Sequence, residues 1–178
     1  MRIKVIVGVI AVSAALAGCG GAESGQKGAG EAKAPEASIT ATSDVPESLL
    51  FSGKTVDGKE FKGTELAGKA AVLWFWKPNC VHCKRDAKTV RELASEYSGD
   101  VTFVGVGGLG KAPAMKTFVK ENNVGSFTHM ADESGDVWRK FGVKMQRTYV
   151  LISSDGTIAF NGGLDAEKEL EAKVNDLA

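Results

Sequence analysis

Continuous apolar segments and segments with helical apolar spacing follow one another along this chain, and they predict strands and helices in turn. Residues 70–76 and 101–106 are apolar without alternation, which is typical of strands covered on both faces. Between these two segments, apolar residues recur at spacings of four and three, which predicts an amphipathic helix. They are Cys83, Ala87, Val90, Ala94 and Tyr97. The centre of the chain is therefore predicted to be a strand, a helix and a second strand.

The flanking segments predict two hairpins and further helices. Asp57-Gly58 and Asp155-Gly156 each separate two short strand-like runs, which is the pattern of a tight turn between antiparallel strands. Residues 127–130 are either another strand or an extended connection. Further helices are predicted to begin near Pro113, Asp136 and Asp165. We expect an α/β domain with a mixed central sheet flanked by helices and an N-terminal β-hairpin extension.

The N-terminal residues resemble a bacterial lipoprotein signal. Arg2 and Lys4 precede an apolar run at residues 5–16, which closes in Leu-Ala-Gly-Cys with Cys19 as the residue that would carry lipid. The run is shorter than the about 20 residues that span a bilayer. An uncleaved anchor helix or an ordinary secretory signal is the alternative. We expect a signal peptide at residues 1–18, a flexible membrane tether at 19–47 and a folded domain at 48–178.

Charge and cysteine content narrow the possible functions. The 178 residues include 22 Lys and Arg against 22 Asp and Glu, so the chain lacks the basic excess of a nucleic-acid-binding protein. A lipidated protein would work outside the cytoplasm, anchored to the cell membrane, where thiols persist in the oxidised state. With Cys19 assigned to lipid, only Cys80 and Cys83 remain for chemistry.

Two residues separate Cys80 from Cys83, and this spacing has three interpretations: a redox pair, half of a metal site or a haem attachment point. Haem attachment requires a histidine after the second cysteine, where this chain has Lys84. Copper binding by both cysteines with His129 stays open, as in a thioredoxin-like copper chaperone. We favour a redox pair without a metal. Cys80 would lie at the first turn of the predicted helix, whose N–H groups stabilise a thiolate, while Cys83 lies on the buried stripe.

Residues 74–83, Trp-Phe-Trp-Lys-Pro-Asn-Cys-Val-His-Cys, are similar to the active-site stretch of a known family. With the lead-in hairpin and the order of elements, they resemble the extracytoplasmic thioredoxin-like thiol-disulfide oxidoreductases of the TlpA/DsbE type, especially the actinobacterial members. The resemblance implies a thioredoxin fold, no cofactor, Cys80 as an exposed nucleophile and Cys83 as the covered resolving cysteine. The candidates for tuning the cysteine pKa or forming the substrate loop are His82, Arg147, Trp76 and Pro78.

Three positions depart from that family. Trp74 stands where cytoplasmic thioredoxins carry a buried aspartate that accepts a proton from the covered cysteine, and Asn79 replaces the tryptophan before the first cysteine. Arg147 stands where the family places a cis-proline directly before a strand. A cis bond to another residue costs about 3–4 kcal/mol, so we expect a trans bond and a reshaped loop. The guanidinium is expected either near Cys80 or in solvent. Peroxiredoxins also place an arginine near their cysteine, but they need a threonine where this chain has Lys77.

The residues around the pair favour an oxidant. A protonated His82 would stabilise the Cys80 thiolate and hence the reduced form of the protein. We expect an enzyme that donates disulfides to secreted or envelope proteins and is recycled by a membrane redox partner of unknown identity. The alternatives are a thiol reductant for cytochrome c maturation and the copper chaperone.

Residues 105–111, Gly-Val-Gly-Gly-Leu-Gly-Lys, match a dinucleotide-binding fingerprint. Ala112 replaces the Ser or Thr that would bind magnesium, and Pro113 lacks an N–H group for a phosphate. We interpret the segment as a flexible glycine turn that binds no nucleotide.

Overall fold

The computed structural model describes residues 45–178. The predicted signal peptide, the predicted lipid-bearing Cys19 and most of the predicted tether lie outside the described residues. Within residues 45–178, no helix is both long enough and apolar enough to cross a membrane.

The element order agrees with the sequence pattern. A 3₁₀ turn at Glu47–Leu49 leads into an N-terminal hairpin, and a second 3₁₀ turn at Gly63–Leu66 follows it. The strands are β1 (Ser52–Lys54), β2 (Glu60–Lys62), β3 (Ala70–Trp76), β4 (Val101–Gly108), β5 (Thr128–Asp132), β6 (Thr148–Ile152) and β7 (Ile158–Gly163). The helices are α1 (Val81–Glu96), α2 (Ala112–Glu121), α3 (Asp136–Lys140) and α4 (Glu171–Asn175), the last preceded by a π-helical turn at Ala166–Leu170.

Strand β3 lies at the centre of a mixed five-stranded sheet with the order β5-β4-β3-β6-β7. Strands β3, β4 and β5 are parallel, whereas β6 is antiparallel to β3 and β7 is antiparallel to β6. The carboxyl end of β3 therefore lies beside the end of β4 and the beginning of β6. The expected mixed sheet, its flanking helices and the separate β1–β2 hairpin are confirmed.

The two faces of the sheet are covered by different elements. Every residue of β3 is buried, as its continuous apolar run predicts. Val72, Trp74 and Trp76 pack against α1, α2 and the C-terminal helical segment, and we name this side the α1 face. Leu73 and Phe75 pack against α3 and the N-terminal hairpin, and we name that side the α3 face.

The predicted glycine turn at residues 105–111 is wrong for its first part, because Gly105 to Gly108 belong to strand β4. A Cβ atom built on Gly105 would lie 2.1 Å from Nδ1 of His129, and one on Gly108 would lie 2.4 Å from Nε1 of Trp138. These glycines therefore make room for large side chains against the sheet, a requirement of packing rather than of turn geometry.

Candidate active site

A disulfide joins Cys80 to Cys83 at the beginning of α1. Cys80 is the N-cap residue of this helix, and its Sγ accepts a hydrogen bond from the N–H group of Cys83 at 3.0 Å. The loop that carries it follows β3 directly and is closed by a hydrogen bond from the Cys80 N–H to the Lys77 carbonyl at 3.2 Å. The first sulfur thus lies against the unpaired N–H groups and the positive end of the helix dipole, which favour a thiolate there.

Cys80 is more buried than the resemblance implied. The expectation of an exposed Cys80 is wrong for the disulfide form, because Cys80 is 3% exposed and Cys83 is 0% exposed. The ordering of the two is nevertheless the expected one. In the disulfide form only Cys80 keeps solvent-accessible surface, a small opening at the protein surface, and Cys83 is fully covered by the core.

Arg147 directly precedes β6, as we expected of the residue that stands in place of the family's proline. Its backbone N–H donates to the carbonyl of Phe75 at 2.9 Å, which holds the loop against the end of β3. Residues 45–178 contain no cis peptide bond, as we expected for this position, and Arg147 adopts the left-handed conformation with a φ of 65°.

The Arg147 side chain does not point freely into solvent but binds a buried carboxylate. Its Nε and Nη2 atoms donate to the two carboxylate oxygens of Asp86 at 2.6 and 3.0 Å. Asp86 lies on α1, one turn beyond Cys83, and is 0% exposed. Nη2 also lies 3.7 Å from a carboxylate oxygen of Asp165. The buried Asp86 carboxylate thus binds the guanidinium in a bidentate pair, and an effect of Arg147 on Cys80 stays a prediction.

Tyr149 completes a buried polar group under α1, since its hydroxyl donates to Asp86 at 3.2 Å. Burial raises the pKa of Asp86, while the hydrogen bond and charge of Arg147 and the hydrogen bond of Tyr149 oppose this shift without cancelling it. Burial, reinforced by the negative charge of Asp86, raises the pKa of the Tyr149 hydroxyl far above its ordinary value. Asp86 is thus a buried carboxylate whose charge depends on Arg147.

Asp86 is the site residue that our sequence reasoning missed. Because Trp74 stands where cytoplasmic thioredoxins carry their aspartate, we expected the proton acceptor of the covered cysteine to be missing. The available signal was its spacing, three residues after Cys83 and four before Val90, which places an acid inside the apolar stripe of α1. An acidic side chain is buried only when a partner compensates its charge. Here the partner is Arg147, which lies 61 positions further along the chain in the loop before β6.

The other predicted site residues, Trp76, Pro78 and His82, differ in how deeply they are buried. Trp76 is fully buried and stacks on Phe118 with ring centroids 4.2 Å apart. It belongs to the same core as the two cysteines and offers no surface to a substrate. Pro78 lies against the loop after β4, since a Cβ built on Gly110 would be 3.2 Å from its ring. His82 is exposed on the first turn of α1.

The structure does not bring His129 together with the cysteines as a metal site. Its Nε2 lies 2.8 Å from the carbonyl of Val124, an acceptor, so Nε2 carries the proton. Its Nδ1 faces Gly105 in the core of the α1 face and has no hydrogen-bond partner there. Burial lowers the pKa of His129 to about 4. The described part of the chain contains no group of three or more His, Cys, Asp or Glu side chains placed to hold a metal ion.

Comparison with known proteins identifies the relatives of this chain. The model of the AhpC/TSA family matches residues 43–161. The chain is 38% identical over 114 residues to the soluble secreted antigen MPT53 of Mycobacterium tuberculosis, and equally to that of Mycobacterium bovis. The alignment covers 64% of this chain and 65% of that protein, so the chain spans just under two thirds of the length of these curated relatives.

Solved structures share the fold. MTB DsbF, in its mixed oxidised and reduced forms, is 43% identical, with a TM-score of 0.71 over 75% of this chain and 99% of that one. A secreted Mycobacterium tuberculosis disulfide oxidoreductase homologous to E. coli DsbE is 35% identical, with a TM-score of 0.67 over 74% of this chain and 98% of that one. The predicted thioredoxin fold and the resemblance to DsbE-type oxidoreductases are confirmed.

Proposed function

Because this chain belongs to the AhpC/TSA family and is similar to disulfide oxidoreductases, we propose that it is a thiol-disulfide oxidoreductase that donates disulfides to secreted or cell-envelope proteins. One observation carries the proposal. The Cys80–Cys83 disulfide caps the N-terminus of α1, with the sulfur of Cys80 hydrogen-bonded to the helix and that of Cys83 fully buried.

The exchange proceeds in two balanced steps. A thiolate of the reduced client attacks the Sγ of Cys80, a mixed disulfide forms, and the bond to Cys83 breaks to release its thiolate. The second client thiolate then attacks the client sulfur of that mixed disulfide and expels Cys80 as a thiolate. The client loses two electrons and its two thiol protons, and the cysteine pair of the enzyme gains the two electrons.

The helix position of Cys80 supports the donor direction. Helix N–H groups stabilise the thiolate that exists only in the reduced protein, so they make the disulfide form more oxidising. A fall in thiol pKa from about 8.5 to about 3.5 is worth roughly 7 kcal/mol, which matches the gap between potentials of about −270 and −120 mV. Exposed cations nearby, including His82 when protonated, act in the same direction but are screened by solvent.

The deciding measurement is the reduction potential of the pair, equilibrated against glutathione and read with the pKa of Cys80. We expect a potential above about −200 mV and a thiol pKa well below the ordinary value of about 8.5. A potential near or below about −270 mV would instead support the reductant alternative in cytochrome c maturation.

A trapping experiment tests the roles of the two sulfurs. The Cys83→Ala variant is expected to accumulate mixed disulfides on Cys80 that resist resolution, whereas Cys80→Ala should form none, because Cys83 is buried. Mass spectrometry of the trapped species would identify the clients. Equal trapping by both variants would contradict the assigned order of attack.

We also propose that lipid on Cys19 anchors the enzyme to the outer side of the cell membrane. The Leu-Ala-Gly-Cys ending of the N-terminal apolar run supports this proposal, and the secreted relatives support an extracytoplasmic location. A clickable fatty-acid analogue fed to the expressing cells is expected to label the wild-type protein. Label that persists in a Cys19→Ser variant would rule this site out.

A further inference from the structure

We propose that the surface around the disulfide recognises a client segment that carries acidic and apolar side chains beside its cysteine. This inference rests on the proposed function and names the substrate class of the same site. The surface, which we call the rim, consists of residues 77–85, 109–111 and 144–147. The fold brings these three segments together, and they expose apolar and basic side chains but no acidic ones.

The topology places the three segments of the rim at one end of the sheet. Residues 77–85 follow β3 and contain the cysteine pair. Residues 109–111 follow the parallel strand β4, and Gly110 approaches the ring of Pro78. Residues 144–147 precede the antiparallel strand β6, and Arg147 binds the end of β3 through its N–H group. Each segment therefore borders the opening to Cys80.

The rim exposes three large apolar side chains to solvent. Val81 is 78% exposed, Met145 is 65% exposed and Leu109 is 63% exposed. Leu50 and Ile158 are the other large apolar residues exposed within residues 45–178, so three of these five belong to the rim. Apolar side chains gathered around a reactive group mark a protein contact surface.

The rim also carries only positive charge. Its three segments contain six Lys and Arg residues and no Asp or Glu, although the whole chain has 22 of each sign. Lys111 pairs with Glu133, and Arg147 pairs with Asp86. The other four cations form no ion pair with any described residue, and they are Lys77, Lys84, Arg85 and Lys144.

Charge complementarity selects the occupant. An acidic client segment would find four unpaired cations around the opening, which raises the encounter rate and opposes basic segments. Acidic neighbours disfavour the thiolate of a free client cysteine, and the rim removes that penalty at the moment of attack. An anionic membrane surface would match the charge but would cover the opening to Cys80, so a peptide is the occupant that agrees with the exchange reaction.

The test uses three reduced peptides that share one pair of cysteines and one apolar residue but differ in their flanking residues, which are Glu, Gln or Lys. Oxidation of each peptide by the full-length oxidised protein is followed by stopped flow at pH 7 in low salt. We expect the Glu peptide to react at least about tenfold faster than the Lys peptide, with the ratio falling toward one in high salt.

Two charge variants of equal net charge localise the effect. The rim variant replaces the four unpaired cations by glutamine: Lys77→Gln, Lys84→Gln, Arg85→Gln and Lys144→Gln. The control variant removes four exposed lysines of the hairpin region and the opposite end of β3: Lys54→Gln, Lys59→Gln, Lys62→Gln and Lys69→Gln. The rim variant is expected to lose the preference for the Glu peptide, and the control variant to keep it.

The outcomes separate the two proposals. If none of the three peptides is oxidised, the proposed function fails. If the Gln peptide is oxidised but the Glu and Lys peptides react equally in low salt, or the rim variant keeps the preference, the present inference is overturned. It is also overturned if phosphatidylglycerol vesicles bind the Cys19→Ser protein through the rim cations and block oxidation of the Gln peptide.

An apolar substitution tests the second half of the proposal. Met145→Ser is expected to raise the KM for the Glu peptide several-fold with little change in kcat. The matched control is Ile158→Ser, which removes an exposed apolar side chain from the other end of the sheet. Equal effects of the two variants would show that the apolar part of the rim does not contact the client.

Discussion

The α1 face and the α3 face of the sheet have cores of different chemistry. The α1 face buries the disulfide, the Asp86 group with Tyr149, and His129. The core of the α3 face consists of aliphatic and aromatic side chains, and its buried acid, Asp132, caps α3 by accepting hydrogen bonds from two backbone N–H groups. Buried titratable groups are therefore concentrated on the side that carries the cysteines, while the other side mainly supplies stability.

The largest expected effect tests the α3 face. Phe75 is fully buried and makes edge contacts with Trp138 and Phe141, with ring centroids 5.8 Å away in each case. Phe75→Ala should lower the free energy of unfolding by about 4 kcal/mol, because it removes transfer energy and leaves a cavity. Urea unfolding at pH 7 and pH 5 is expected to show the same loss. A changed rate of disulfide exchange per folded molecule would contradict the separation of the two faces.

The next effect tests the buried pair on the α1 face. Arg147→Met leaves the carboxylate of Asp86 buried without its cation and should cost about 3 kcal/mol at pH 7. Removing Arg147 raises the pKa of Asp86 further, so the folded state holds a proton that the unfolded state releases. The loss is therefore greatest at high pH and shrinks as the pH falls through the folded pKa.

The control for this prediction neutralises the acid. A double variant, Arg147→Met with Asp86→Asn, should recover much of the stability at pH 7 and show little extra dependence on pH. A loss that is independent of pH in the single variant would mean that the geometry of the β6 loop, rather than the charge of Asp86, requires Arg147.

The smallest effect concerns His129. Its folded pKa of about 4 lies below the ordinary value of 6.5, so between these values the unfolded chain binds a proton that the folded protein does not. Its contribution to stability is complete above pH 6.5 and is lost as the pH falls toward 4. Between pH 7 and pH 5 the loss amounts to about 2 kcal/mol, from about 1.4 kcal/mol for each unit of pKa difference.

The His129→Gln variant checks that assignment, because glutamine keeps a donor for the Val124 carbonyl and does not titrate. Its unfolding free energy is expected to lack this part of the acid dependence. His82→Gln, which removes an exposed histidine from the first turn of α1, is the matched control. If the two variants behave alike, His129 is not the group responsible.

Local sequence pattern predicted most of the elements. The unbroken apolar run of β3, the four-and-three spacing of α1 and the Asp-Gly turns each follow from the periodicity of one segment. Cys80 was correctly placed at the beginning of a helix, because the apolar stripe starts with Cys83. The 3₁₀ turns were missed, since such short turns have no periodicity of their own.

Contacts between distant segments account for the errors. Arg147 was assigned to Cys80 or to solvent, whereas its partner is Asp86 on a neighbouring helix. The glycines of β4 were assigned to a turn, because only the packed structure shows the aromatic and imidazole rings that require their missing Cβ atoms.

A redox pair at the start of an amphipathic helix, within an alternating α/β chain, follows from local pattern alone. Periodicity and spacing are properties of one segment, so they can be read without knowing what that segment contacts. The folded protein alone shows that Cys80 is nearly covered, that Arg147 pairs with a buried acid and that three cationic segments meet at the end of the sheet that carries Cys80. Burial and electrostatic pairing depend on distances between segments far apart in the chain, and the folded topology sets those distances.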